Sequence, residues 1–438
     1  MVAVSDTIYS LSSGGVPSGV AVIRISGPQA FGVCETLCGP IRAHRRAHLK
    51  MIRSRNGEVL DQGLVLTFPG PGSFTGEDCV ELQIHGGKAV VSRVLDELGA
   101  MPLFRHAEAG EFSRRAFLNG KLDLVEVEGL ADLLSAETEM QRRLASEHAR
   151  GGVSQLYQGW AKRLTHARAM IEAELDFADE DDVPGSVSAS IWEDMTLLRT
   201  QIADHLASAK TGAIIRDGYR VVISGSPNTG KSSLLNALAN QDVAIVTDIA
   251  GTTRDILSVD ILLAGFVVKL YDTAGLRETQ DAVEREGIRR ALNIQAEADL
   301  ILCLSDRPDG FRLPDDTEKD YLKVATKIDV SAGLWDRADA DVFISMKDEK
   351  GLAPLLDLIV QRLPVNTSAH MLSLPSRKRH ADQLKQCLVA LDEAIACTEL
   401  DLQSEWLRTA GDALGRITGR VDVENLLDVI FSEFCIGK

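Results

Sequence analysis

The stretch Tyr219–Asn240, YRVVISGSPNTGKSSLLNALAN, decides how this chain reads. Tyr219 to Ser224 is a short apolar run with the texture of a strand, and Ser233 to Asn240 has the texture of a helix. Between them, Gly225-Ser-Pro-Asn-Thr-Gly-Lys-Ser232 is a complete glycine-rich loop of the kind that cradles phosphate. Backbone N–H groups of such a loop and of the helix start converge on an anion, and glycines keep side chains out of the tight turn. Asn228, Thr229, Gly230, Lys231, Ser232 and Ser233 are the expected nucleotide contacts. Lys231 is placed to reach the β and γ phosphoryl oxygens, and the Ser232 hydroxyl to ligate magnesium.

Four further motifs lie downstream. Asp272-Thr-Ala-Gly275 ends an apolar strand, with Asp272 expected to hold a magnesium-bound water and Gly275 to offer its N–H to a γ-phosphate. Gly251-Thr-Thr-Arg-Asp255 lies between the two, and Thr253, rather than Thr252, is expected to complete the magnesium shell; a polar surface turn is the alternative. Thr326-Lys327-Ile-Asp329 follows another strand, where the Asp329 carboxylate can accept from guanine N1–H and its exocyclic amine, while adenine presents the wrong edge. The pattern Asn-Lys-x-Asp is usual at such a loop, so Thr326 is a departure that removes one supporting amide. Ser345-Met346-Lys347 would then supply the last guanine loop, with the Met346 N–H near O6, or would simply close a strand.

The strands Tyr219–Ser224, Gly265–Asp272, Asp299–Ser305, Leu322–Ala325 and Asp341–Ile344 alternate with helical runs, which predicts a mostly parallel sheet covered on both faces. Upstream, Val20–Ile25, Leu64–Phe68 and Cys79–His85 read as strands around the loop Pro69–Gly76, giving a mixed α+β region. From about Leu118 the texture turns helical, with an apolar stripe through Leu130, Leu133, Leu134 and Met140; Asp176–Gly185 reads as a solvated acidic loop. Beyond Pro375 a second helical stripe runs through Leu384, Leu388, Leu391 and Ile395. The expected architecture is a multidomain α/β and α+β chain. Residues 1–118 form an α+β domain, 119–215 and 375–438 a helical domain in two segments, and 216–374 the inserted phosphate-loop domain.

The 438 residues carry a formal charge of −17, which opposes nonspecific attraction to nucleic acid or an anionic membrane, so a polyanionic partner would need a local basic patch. Arg377-Lys-Arg-His380 is a small cluster that could touch a nucleic-acid backbone or simply begin a solvated helix. The seven cysteines lack the paired spacings of a zinc site, and His85 before two glycines is no metal site alone. Reduced thiols, no leader and no long apolar run point to a cytoplasmic protein without membrane insertion.

Together these motifs and their flanks resemble the MnmE (TrmE) family of tRNA-modification GTPases over almost the whole chain. The resemblance rests on Asp6-Thr-Ile8, Ile23-Arg-Ile-Ser-Gly27, Ser73-Phe-Thr-Gly-Glu-Asp78, Glu81 with His85-Gly-Gly87, the run Gly110–Asp123 (GEFSRRAFLNGKLD) and the ending Phe434-Cys-Ile-Gly-Lys438. It implies an N-terminal dimerising domain similar to folate-binding domains, hence a homodimer. It also implies GTP/GDP with Mg2+ and K+, a 5-formyltetrahydrofolate or related folate, an FAD- and NADH-using MnmG-type partner, and C5 of the wobble uridine of certain tRNAs as the target. Asn228 matches the family's potassium ligand, with the loop holding Thr247, Ile249 and Thr252 around the ion; Asn228 could otherwise only stabilise its loop. Leu276 stands where other GTPases carry a water-orienting Gln, and Glu284 matches the family's catalytic glutamate. Cys435 matches a family cysteine, for modification or for packing, and Arg24, Glu81 and Lys121 are the folate candidates. A ribosome-assembly or signalling GTPase, or a folate-binding scaffold with a degenerate nucleotide domain, are the competing readings.

Overall fold

A computed structural model describes residues 6–176, 187–240, 258–272, 296–314, 319–347, 349–364, 372–421, 424–432, 434 and 437. The chain divides into two compact units. One comprises Met1–Ser135, Ala145–Ala203 and Asp382–Lys438; the other comprises Ala136–Leu144 and Asp204–Ala381.

The first unit opens on a six-stranded sheet of order β3-β4-β5-β2-β1-β6. Its strands are β1 (Thr7–Leu11), β2 (Ser18–Ser26), β3 (His48–Arg53), β4 (Val59–Phe68), β5 (Cys79–Gly86) and β6 (Phe104–His106). In β2 the alternation is decisive: Ala21, Ile23 and Ile25 are fully buried, while Val22 and Arg24 face the other way. Helices α1 (Ala30–Cys38) and α2 (Lys88–Gly99) bring Val33, Leu37, Val94 and Leu98 into that core. Three strands escape the sequence reading. β1 and β6 are short and pair in parallel, Thr7 opposite Phe104, so each depends on a partner nearly a hundred residues away. β3 is an edge strand whose HLKMIR mixes charge into its apolar positions.

The helical part of this unit contains α3 (Glu111–Leu118), α4 (Leu124–Ser135), α6 (Gly152–Asp176) and the helices Leu400–Thr418 and Glu424–Ser432. In α6, Tyr157, Leu164 and Ile171 are buried, and Ser404 Oγ donates to Glu172 Oε1 at 3.0 Å, joining α6 to Leu400–Thr418. The expected α4 stripe needs correction. Its buried residues are Leu124, Val125, Val127, Glu128 and Gly129, whereas Leu130 and Leu133 are half-buried and Leu134 is exposed. Met140 belongs to the next helix, α5 (Glu139–Ala149), because residues 136–138 break the run. In Lys378–Ala396 the buried line is Leu384, Cys387, Leu391 and Ala394, with Leu388 and Ile395 half-buried beside it. Helical spacing was legible, but the rotation of each helix about its axis was not. The acidic run from 177 on lies outside the described residues.

The second unit is built on a sheet of order β12-β11-β10-β7-β9-β8. β7 (Tyr219–Gly225) lies between β10 (Leu300–Ser305) and β9 (Phe266–Asp272), parallel to both, and Val221, Val222 and Ile223 are fully buried. Such burial on both faces is why the strand reads as an unbroken apolar run. β11 (Tyr321–Ala325) and β12 (Val342–Phe343) extend the parallel set; β8 (Ser258–Leu263), absent from the sequence reading, pairs antiparallel with β9 at the edge. Leu234, Leu235 and Leu238 of α9 (Lys231–Ala239) pack in the core of this sheet, together with Ile214 and Ile215 of α8 (Ala209–Asp217).

Candidate functional site

The loop after β7 sits at the carboxyl end of the sheet, where parallel α/β folds place their ligands. Gly225 adopts φ +149°, and a Cβ there would collide with the Leu304 carbonyl of the neighbouring strand. Asn228 and Gly230 are also left-handed, at φ +63° and +96°, so the loop curls before entering α9. Thr229 Oγ1 donates to the Ser226 carbonyl at 2.8 Å and closes that curl.

Lys231 is buried, and its ammonium donates to the Gly225 and Ser226 carbonyls at 2.8 and 2.9 Å. Burial lowers its pKa from the ordinary lysine value, against the pull of the Asp272 carboxylate and with the help of Arg312. The charge is thus held inside the loop by carbonyl oxygens that a phosphate can replace. Ser232 Oγ donates to Asp272 Oδ2 at 2.9 Å, so the first turn of α9 and the end of β9 bring a hydroxyl and a carboxylate together. Hard oxygen donors of this kind suit magnesium.

Thr326, at 0% exposure, donates from Oγ1 to the Thr229 carbonyl at 2.7 Å, with the Ser305 carbonyl at 3.2 Å. The hydroxyl thus ties this loop to the phosphate loop. Lys327, left-handed at φ +56°, donates to the Asn228 carbonyl at 2.5 Å and to Asp306 Oδ2 at 3.1 Å. The third loop joins here as well: Ser345 Oγ donates to Asp329 Oδ1 at 3.0 Å, and Lys347 pairs with Asp329 Oδ2 at 2.7 Å. Hydrogen bonds from Lys347 and Ser345 hold the Asp329 carboxyl below the usual aspartate range. Met346 Cε would lie 3.3 Å from a Cβ on Gly230, so Met346 borders the phosphate loop. The structure thus gathers Asn228, Thr229, Gly230, Lys231, Ser232, Asp272, Thr326, Lys327, Asp329, Ser345 and Met346. Ser233, also in α9, is exposed. Thr247, Ile249, Thr252, Thr253, Gly275, Glu284 and Cys435 lie outside the described residues. Asp306 was missed, and Lys347, inside the expected loop, was given no partner, since only the fold brings each to its own.

A second cluster lies in the first unit. Arg24 on β2 and Glu81 on β5 are register partners, joined at 3.0 Å, and the Arg24 guanidinium stands over Phe74 at 5.3 Å and Phe112 at 5.6 Å. Phe74 belongs to the Pro69–Gly76 loop, whose Gly76 approaches Lys121, and Asn119 Nδ2 donates to the Thr75 carbonyl at 2.8 Å. The loop thus meets Arg24 through Phe74 and lies beside Lys121 at Gly76, while Glu81 is joined to Arg24. Beneath it, Arg115, 3% exposed, bonds Asp6, Glu77 and Glu111. Near the chain's end, Ser12 Oγ donates to the Gly437 carbonyl at 2.6 Å, and Gly437, at φ +102°, lies too close to the Leu11 carbonyl to admit a Cβ. His85 pairs with Asp61 at 2.8 Å, and no group of three or more His, Cys, Asp or Glu side chains that could hold a metal occurs among the described residues. The six described cysteines are free. No described helix is long and apolar enough to cross a membrane.

Comparison with known proteins adds the following. The family described as GTP-binding protein TrmE N-terminus matches residues 7–121, and that described as MnmE helical domain matches residues 124–435. The tRNA modification GTPase MnmE of Rhizobium meliloti (strain 1021) is 63% identical over 99% of this chain and 99% of its own. Those of Sinorhizobium medicae (strain WSM419) and Rhizobium etli (strain CIAT 652) are 63% and 58% identical, over 99% and 100% of both chains. Among solved structures, the G domain of the T. maritima FeoB iron transporter matches at 24% identity over 33% of this chain and 98% of that one, with a TM-score of 0.25.

Proposed function

Because the chain belongs to the MnmE family of tRNA modification GTPases, and so binds and hydrolyses GTP in the service of tRNA modification, we propose a specific course for that reaction. With an FAD- and NADH-using MnmG-type partner it adds an aminomethyl-type group to C5 of the wobble uridine of certain tRNAs. A 5-formyltetrahydrofolate or related folate supplies the one-carbon unit. GTP hydrolysis in the presence of Mg2+ and K+ rearranges a homodimer.

The observation that carries the nucleotide part is the Ser232–Asp272 contact of 2.9 Å beside the buried Lys231. Ser232 and Asp272, with Thr253, would hold magnesium, which would neutralise charge on the β and γ phosphoryl oxygens. Lys231 supplies a second positive charge there, and Asp329 reads the guanine edge. Asn228, with the backbone around Thr247, Ile249 and Thr252, would hold potassium, adding positive charge where other GTPases use an arginine. Glu284 orients the attacking water, since Leu276 cannot polarise one.

The folate reading is supported by the chemistry around the Pro69–Gly76 loop. Arg24 can pair with a glutamate tail or lie on a flat ring, Glu81 can accept from pterin N–H groups, and Lys121 offers a second cation. Cys435 is proposed to act near the modification centre.

Mass analysis of wobble uridines in tRNA from cells lacking this chain tests the whole proposal. Loss of the C5 group is expected, and normal modification would exclude the pathway. Hydrolysis by the purified protein should rise when sodium is replaced by potassium.

A further inference from the structure

The acidic total hides a strongly basic surface that the nucleotide and folate readings leave unused. From Ile41 to Asn56, IRAHRRAHLKMIRSRN contains no Asp or Glu. It forms the loop before β3 and the edge strand β3 itself. Arg42, Arg45, Arg46 and Arg53 are exposed and Lys50 is half-buried. None of these five pairs with a carboxylate among the described residues. Lys50 donates to the Pro40 carbonyl at 3.0 Å, Arg53 to Gly57 at 3.2 Å and Arg45 to Gly72 at 2.5 Å, while the Arg42 and Arg46 side chains have no hydrogen-bond partner among the described residues. Three acidic side chains beside this segment are engaged elsewhere: Glu97 by Arg55 and Arg93, Glu58 by Arg93, and Asp61 by His85.

The segment is also held in place. Arg45 N–H donates to the Thr67 carbonyl at 2.9 Å, the His44 ring bonds Thr67 Oγ1 at 3.0 Å and stacks on Phe31, and the His48 ring bonds the Ala43 carbonyl at 2.7 Å. A fixed row of uncompensated cations on a chain of −17 is costly through repulsion and stands out against the surrounding field. The other basic cluster does not offer this. His380 is fully buried, Arg377 and Arg379 are half-buried, and only Lys378 is exposed.

We infer that the loop before β3 and the β3 edge form the surface on which this chain docks the phosphate backbone of its RNA substrate, with Arg42, Arg46 and Arg53 as the main contacts. The inference rests on tRNA as the family's substrate. Guanidinium groups pair with phosphate and position an RNA without reading its sequence. The patch therefore orients tRNA, and base selection lies elsewhere.

Fluorescence anisotropy with a labelled tRNA transcript and the full-length protein, over a series of salt concentrations, tests this. The triple variant Arg42→Gln, Arg46→Gln, Arg53→Gln is expected to bind about tenfold or more weakly, with a log–log salt slope smaller by roughly two to three. Replacing the same three by Lys should restore most of the affinity, since a phosphate accepts a point charge. Arg408→Gln, which removes a cation already paired with Glu405 and Asp412, should change neither quantity. Basal GTP hydrolysis and thermal unfolding should match the parent in every variant. Unchanged affinity and slope in the triple variant would overturn the docking surface alone, whereas no tRNA binding by the parent would overturn the substrate reading as well. Loss of binding to phosphatidylglycerol vesicles with tRNA binding intact would assign the patch to a membrane. A sedimentation change that accounts for the whole tRNA effect would assign it to a second copy.

Discussion

The Lys347 ammonium lies 2.7 Å from Asp329 Oδ2, while Ser345 Oγ donates to Oδ1 at 3.0 Å. Both oxygens of the carboxylate proposed to read guanine are engaged before any base arrives. A base that takes the Oδ2 lone pair facing Lys347 would displace the lysine, whose side chain is 78% exposed.

Lys347→Met should therefore bind GDP and GTP about two- to five-fold more tightly, the range expected when one exposed ion pair no longer competes. Titration with a fluorescent guanine nucleotide measures it. Weaker binding would mean that the lysine stem supports the base and does not compete with it.

Thr326 ties the guanine loop to the phosphate loop through a buried hydroxyl. Thr326→Val keeps the shape and removes the donor, leaving the Thr229 carbonyl without that bond, so nucleotide affinity should fall about five- to tenfold. Thr326→Asn, which restores a donor, should bind at least as well as the parent. Equal affinity in the valine variant would show that the tie contributes nothing.

Glu284→Ala should keep nucleotide affinity and lose about a hundredfold or more in turnover under potassium, the scale of a lost acid–base or water-orienting group. Single-turnover hydrolysis separates the two effects. Unaltered turnover would remove Glu284 from the mechanism.

The buried Arg115 network predicts the acid limb of stability. Burial raises the Asp6 and Glu111 pKa values, but hydrogen bonds from Arg105 and charge from Arg115 outweigh it, and both end below their ordinary 3.8 and 4.5. A carboxyl depressed in the folded state contributes stability that is full above its unfolded pKa and is lost as pH falls through the folded value. Unfolding free energy should thus be level above about pH 4.5 and decline below it. Arg115→Met should cost about 3 kcal/mol at neutral pH, because it removes a buried cation shared by Asp6, Glu77 and the buried Glu111, and should flatten the acid decline only in part, since Arg105 still pairs with Asp6 and Glu111. Denaturant titrations from pH 3 to 7 would reveal both, and an unchanged acid slope would count against the network.

How far the sequence carried depended on the range of the interactions involved. The phosphate loop was legible because its glycines, Lys231 and Ser232 act through the backbone of one continuous segment. The central strand β7 was legible because burial on both faces leaves an unbroken apolar run. The edge strands β3 and β8 were not: each pairs on one side only, so charge and polarity interrupt their pattern. Thr326 looked like a missing support, since nothing local to it reveals the Thr229 carbonyl 97 residues away.

By itself, then, the sequence determined the kind of ligand, the parallel sheet that presents it and the family, all of which follow from local backbone demands and from identity along the chain. Only the tertiary structure decided which face of each helix is buried, that Lys347 rests on Asp329, and that Gly437 lies against Leu11. It also decided that the basic run before β3 stays uncompensated. Those outcomes turn on which distant groups come within a few ångströms of one another. Contact free energies of that kind depend on distance and burial in three dimensions, which residue order does not encode locally.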